Sequence, residues 1–230
     1  MVALASRPGR QRDSGNLLAF LGVGDPVFSS GSAEPGGSSD LAPLPFTRDE
    51  VNSIAEYFDE DARTVLLGED AAEKTLSEPG FLSRYEILHF ATHGFIDERR
   101  PERSSLALSF PKDPSEDGYL QAAEIYKLEM SADLVVLSAC ETGTGRMVRG
   151  EGVLGLPRAF LYGGASSVMV SLWSVSDRST AKLMSVFYEQ RTGKGRSHGE
   201  ALRRASEHLR KTEGFAHPFY WAPFVLIGPA

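Results

Sequence analysis

The sequence predicts an α/β fold, a doubly wound, mostly parallel sheet of six strands flanked by helices. Three observations carry that prediction. Short apolar runs alternate along the whole chain with segments whose apolar residues fall at helical spacing. Two of the runs, residues 85–91 and 132–139, are apolar almost throughout, as strands covered on both faces must be. Alternation of strand and helix is the pattern of parallel sheets, whose right-handed crossovers bring the strand tips to one edge.

The elements follow in order. Residues 17–24 form a first strand, stopped by Asp25 and Pro26. Residues 29–45 are rich in Ser, Gly and Pro and are expected to be a mobile loop. Thr47 and Glu50 have the spacing of a capping box, opening a helix whose apolar face is Val51, Ile54, Ala55 and Phe58. A short strand at 64–67 is closed by Gly68, and a short helix is expected near 71–77. The strand beginning at Tyr85 runs into Thr92, His93 and Gly94. Residues 97–118 form a charged, proline-containing excursion with a strand-like piece at 106–110. A helix over 121–128 leads to the strand that ends at Cys140. A glycine-rich loop, 143–152, feeds a helix over 153–162, which must hold Pro157 near its first turn. Residues 167–173 form the next strand. Leu183, Met184, Phe187 and Tyr188 mark the core face of one helix. Ala201, Leu202, Ala205 and Leu209 mark that of another, ended at Gly214. Residues 224–228 are a last buried strand.

The 230 residues suffice for one large domain. The net charge of -7 argues against nucleic acid as a partner, because no excess of cations exists to neutralise phosphates. A single cysteine excludes an internal disulfide and fits a reducing compartment. Residues 1–8 lack the apolar core of a signal peptide, and no stretch approaches the ~18 apolar residues of a membrane span. The expectation is a cytoplasmic protein with no membrane contact. Residues 1–16 are expected to be a linker or disordered segment, of the kind that joins a domain to a larger chain, and 17–230 the folded domain.

The chemistry lies where two buried strands end. One delivers His93 and the other Cys140, the only cysteine, each at a carboxyl tip, the edge where ligands collect in open α/β sheets. A thiol and an imidazole there form a nucleophile–base pair, and the amides of Gly94 and Cys140 could hold an oxyanion. Read alone, Cys140 is as readily a small packed hydrophobe, and His93 a core histidine bonded to a carbonyl. His89, four residues before His93, would face the same side of a strand about 13 Å away. Without clustered carboxylates this is no metal pair, and His89 reads as a packed residue that orients the site.

Residues 150–155 spell Gly-Glu-Gly-Val-Leu-Gly, the letters of a dinucleotide fingerprint, but no strand directly precedes them. Asp177 is either a helix N-cap or a wall of a substrate pocket, and Trp173 either core or the floor of a subsite. No Gly-x-Ser-x-Gly elbow is present. His198, His208 and His217 fall in or after surface helices and are not expected to be catalytic. No cofactor or metal is expected.

Several stretches carry a family resemblance. They are residues 89–94 (His-Phe-Ala-Thr-His-Gly), 137–143 (Leu-Ser-Ala-Cys-Glu-Thr-Gly), 150–152, 156–160, 171–177 and 217–224. With them the chain resembles a CHAT domain, a bacterial member of the caspase–separase superfamily of cysteine peptidases (clan CD). The resemblance implies a caspase-like sheet with His93 and Cys140 as the catalytic dyad. It implies a cysteine endopeptidase acting on a protein substrate, laid beside Ser171, Leu172, Trp173 and Ser174, with Asp177 near the specificity pocket. Where separase-like relatives would place a pocket acid, this chain has Ala181. The resemblance also implies attachment to a TPR or sensor module, in bacterial defence or cell-death signalling. The rival readings are an inactive CHAT-like scaffold and a nucleotide-binding α/β protein.

Overall fold

The computed structural model describes residues 17–28, 41–97, 99–111, 116–138, 140–141, 155–173 and 177–229. Six strands make the main sheet: β1 (Leu18–Gly24), β2 (Arg63–Leu67), β3 (Tyr85–Ala91), β7 (Leu134–Leu137), β9 (Ser167–Ser171) and β10 (Phe224–Ile227). Their order is β10-β9-β7-β3-β1-β2, with every pair parallel except β10 against β9. This is the predicted architecture. The central strand, β3, has His89 opposite Gly22 of β1 on one side and Val136 of β7 on the other.

Strict alternation along these strands feeds two cores. Leu88, Phe90, Val135 and Leu137 point to one side, with Ile125 of α3 (Ala122–Ile125) and Ala159 and Phe160 of α4 (Gly155–Gly163). Ile87, Leu134, Val136 and Met169 point to the other. There they meet Ile54 of α1 (Pro45–Ala55), Leu183 and Phe187 of α5 (Asp177–Tyr188), and Ala205 of α6 (His198–Lys211). Burying a side chain such as Leu88 or Phe187 contributes about 1.5–3 kcal/mol each, and both are fully buried.

Helix α1 starts three residues earlier than the capping-box reading requires. Pro45 occupies its first turn, where a missing N–H and a preset φ are favourable, so Thr47 is already helical. The Thr47 hydroxyl instead donates to the Leu44 carbonyl at 2.6 Å and accepts from the Asp25 amide at 2.8 Å. Glu50 is drawn into the interior by a different partner, described below. The capping box that does form was not foreseen: Gln121 and Glu124 start α3, with the Gln121 amide donating to Glu124 at 2.8 Å.

Two glycines let α1 lie flat on β1. A Cβ on Gly22 would stand 2.6 Å from Val51 Cγ1 and 2.8 Å from the Phe20 ring, and one on Gly24 3.0 Å from the Thr47 carbonyl. Gly22→Ala is therefore expected to lift α1 and destabilise the fold by about 1–3 kcal/mol, the range for overpacking. Urea unfolding checks this, and an unchanged midpoint would contradict the close contact.

A second, four-stranded sheet was not foreseen. Its order is β6-β5-β4-β8, from β4 (His93–Phe95), β5 (Ser105–Ala107), β6 (Tyr119–Gln121) and β8 (Cys140–Glu141). The two long strands expected to end at His93 and Cys140 are each broken. β3 stops at Ala91 and β7 at Leu137, and both chains re-pair in the smaller sheet. Within the 97–118 excursion, residues 105–107 pair with both β4 and β6. Two short helices complete the described chain, α2 (Glu73–Ser77) and α7 (Pro218–Trp221). Among the described residues, no helix is long and apolar enough to cross a membrane.

Candidate active site

The junction between the two sheets brings the predicted pair together. β4 and β8 run parallel, with His93 opposite Cys140 and Gly94 opposite Glu141. Adjacent strands lie about 4.8 Å apart, so the cysteine's backbone is the immediate neighbour of the histidine's. The pairing needs both long strands to end at the same level, which the register of Phe90 against Leu137 supplies. A hydrogen bond from the Ser138 amide to the Phe90 carbonyl, 2.9 Å, carries that register one residue further.

His93 is 5% exposed and gripped on two sides. Its Nε2 donates to the Ala42 carbonyl at 2.8 Å. A carbonyl only accepts, so Nε2 carries the hydrogen, and in the neutral ring Nδ1 keeps the lone pair. The Phe28 ring lies 5.2 Å from the imidazole, tilted by 38°. Thr92, at the break between β3 and β4, donates its hydroxyl to the Ala107 carbonyl and so anchors the junction to β5. The arrangement presents a histidine with a fixed tautomer beside a cysteine. Neither Phe28 nor Ala42 was singled out from sequence: a contact through a main-chain carbonyl leaves no side-chain signature.

The candidate substrate residues sit at the end of β9. Ser171 pairs with Phe224 of β10, and the Leu172 amide donates to the Pro223 carbonyl at 2.8 Å. One flank of this segment is therefore already filled by the chain itself. On the other flank β7 stops at Leu137 opposite Val170, so that side is not covered by β7 beyond Val170. Strand pairing ends at Ser171, two residues short of the expected strand. Trp173 is half-buried, its indole N–H donating to the Phe219 carbonyl at 3.1 Å. α5 begins at Asp177 itself, so that residue stands in the first turn; Ser174 lies outside the described residues. Ser138 and Thr180, each over nine-tenths buried, have hydroxyls with no hydrogen-bond partner among the described residues.

Other predicted features are corrected or relocated. The break at Thr92 puts His89 and His93 in different sheets with different partners, so the shared strand face does not exist. His198 is not a surface residue. It is buried, its Nε2 lies 3.0 Å from Asp133, and Arg191 donates to its Nδ1 at 3.1 Å. Burial and then the Arg191 charge lower its pKa, against the pull of Asp133. It packs at the opposite, amino-terminal edge of the sheet, beside the start of β7. Most of the 150–155 stretch and the 143–152 loop lie outside the described residues; Gly155 opens α4, against the Pro101 carbonyl. No three His, Cys, Asp or Glu side chains among the described residues group as metal ligands would.

The 97–118 excursion is tied down by a buried carboxyl. Glu73 of α2 accepts from the Gly118 amide at 3.2 Å. Burial, then the nearby charges of Glu124 and Asp117, push its pKa up to about 7. The folded state therefore holds this proton more tightly than the unfolded chain. Stability from Glu73 is full below about pH 4.5 and is lost as pH rises through about 7. Thermal melts of Glu73→Gln are expected to lack that decline; a parallel pH dependence in both proteins would remove Glu73 as its source.

Comparison with known proteins agrees with this fold. The sequence profile of the CHAT domain family matches residues 2–229. Tetratricopeptide repeat protein 28 of Homo sapiens is 35% identical over 217 residues, covering 81% of this chain and 8% of that protein. Its Mus musculus counterpart is 36% identical over 115 residues, 50% of this chain and 5% of that protein. The chain thus spans under a tenth of these relatives' length. Among solved structures, Saccharomyces cerevisiae separase in its complex with securin superposes with a TM-score of 0.54 at 17% identity, over 93% of this chain and 12% of that one. The shared architecture is the caspase-like one.

Proposed function

The chain belongs to the CHAT domain family, and we propose that it is a cysteine endopeptidase domain working through a His93–Cys140 dyad. The observation that carries this is the β4–β8 ladder, in which His93 and Cys140 are direct partners. In the proposed reaction His93 Nδ1 takes the thiol proton and the Cys140 thiolate attacks a peptide carbonyl. The amides of Gly94 and Cys140 hold the oxyanion, and the proton passes from His93 to the leaving amine. Water then hydrolyses the acyl-enzyme. A reducing, cytoplasmic setting suits this chemistry, because the thiol must stay free.

The substrate is proposed to lie extended beside Ser171, Leu172, Trp173 and Ser174, on the flank that β7 does not pair beyond Val170, since Pro223 occupies the other. Asp177 is proposed to line the specificity pocket beside this segment. The relatives carry tetratricopeptide repeats in their name and are far longer, which supports a regulatory module in the same or a partner chain. We take this domain as the effector of such a protein; the defence or cell-death setting rests on the family resemblance.

The test is a peptide library offered to wild type and Cys140→Ala, alone and joined to a tetratricopeptide module. Cleavage by wild type only, at a consistent residue, supports the proposal. No cleavage in any arm would leave the scaffold reading in its place.

A further inference from the structure

A buried polar cluster outside the dyad lies beneath the main sheet. His89 is fully enclosed on β3. Its Nε2 is 3.0 Å from Glu50 of α1, and its Nδ1 3.1 Å from the Tyr188 hydroxyl of α5. Glu50 is itself 5% exposed and Tyr188 fully buried. A carboxylate accepts, so Nε2 carries a hydrogen. Burial and the charge of Glu50 push the Tyr188 phenol well above its ordinary range, so it keeps a proton to donate to Nδ1. Each of the three side chains has a partner, and removing one leaves another buried and unpaired.

Glu50 and the carbonyl that grips His93 belong to one short stretch of chain. At its start Ala42 accepts from His93, and further along Glu50 accepts from His89. Between them Thr47 and Arg48 both bond to Asp25, at 2.8 and 2.7 Å, fixing the stretch to the end of β1. Both histidines lie on β3 or its continuation as β4. Residues 42–50 thus bridge two points of the same strand path, and a slide of α1 along β3 would move both contacts together.

We infer that Glu50 and His89 are positioning residues for the dyad: by locking α1 onto β3 they hold the Ala42 carbonyl against His93 Nε2 and fix which ring nitrogen is left to accept a proton. This rests on the reading of His93 and Cys140 as a working pair. It assigns the buried cluster a part in the chemistry, where a purely structural cluster would add stability alone.

The test uses the fact that the chain has one cysteine, so alkylation by iodoacetamide reports Cys140 alone. The rate is followed against pH in wild type, Glu50→Ala, Glu50→Gln, Tyr188→Phe and His93→Ala, with cooperative melting checked for each. Wild type is expected to titrate below the ~8.5 of a free thiol. Glu50→Ala is expected to raise that midpoint by about one unit and slow alkylation at pH 6.5 about tenfold, as small misplacements of reacting groups do. Glu50→Gln, which can still accept from His89, should restore most of the rate. A folded Glu50→Ala with the wild-type profile overturns the inference, since a structural role would lower its melting temperature and leave the profile in place. If Glu50→Ala does not fold, Tyr188→Phe decides, with about a threefold slowing expected and a wild-type profile fatal. If His93→Ala matches wild type, the dyad reading itself has failed, and the inference falls with it for that separate reason.

Discussion

Replacing Cys140 with alanine is expected to lower kcat/KM on the best library peptide by at least about 10³-fold, some 4 kcal/mol of transition-state stabilisation. The size follows from what the thiol does in the proposed reaction. It is the atom that bonds to the substrate, and no other cysteine can take over. His93→Ala should cost a comparable factor, because an imidazole bonded to the Ala42 carbonyl has its other nitrogen available for the thiol proton. The double variant is expected to be no worse than either single one, since groups that act as a unit are lost as a unit. Steady-state kinetics on all three proteins check this. Full additivity would mean that the two residues act independently, and cleavage by Cys140→Ala at the wild-type rate would exclude it as nucleophile.

Gly164→Ala is expected to be the most damaging glycine substitution in the described chain, at about 2–5 kcal/mol. Gly164 follows α4 with a φ of +118°, a conformation that residues with a Cβ rarely adopt. A Cβ there would also fall onto the Met130 carbonyl, which is backbone and has no rotamer by which to retreat. The neighbouring bond from the Met130 amide to the Gly163 carbonyl, 3.0 Å, would be pushed apart at the same time. Gly195 is the internal control. Its φ is +60°, but nothing lies within 4 Å of a Cβ, so Gly195→Ala should cost only about 1 kcal/mol. Chemical denaturation of both variants separates collision from conformation; equal losses would show that the Met130 contact does not matter.

Much of the main sheet was legible because its signals are local. The apolar runs at 85–91 and 134–137 are buried on both sides, and the spacing of Leu183, Met184, Phe187 and Tyr188 marks a helix face that the fold buries completely. The smaller sheet was illegible for the opposite reason. β4 and β8 are three and two residues long, too short for any periodicity, and they exist only because distant segments meet. The Thr47–Glu50 spacing misled because a helix start and a buried hydrogen bond to a histidine can use the same residue types. Only the tertiary position of His89 decides which of the two Glu50 makes. His198 misled likewise: its helix is amphipathic, and nothing local says that Asp133 waits beneath it. The proposed dyad residues, His93 and Cys140, were readable as strand tips, and the register that pairs them was not.

The break between the two sheets separates the durability of the molecule from the competence of its proposed catalytic edge. The long strands are clamped between two cores, whereas His93 meets Cys140 across a ladder one or two residues deep. Prising that ladder open sacrifices a hydrogen bond or two and leaves both cores intact, so an idle and an armed form can differ by very little free energy. A partner that binds the small sheet can therefore govern the proposed cleavage with modest affinity, without ever disturbing the body that carries it.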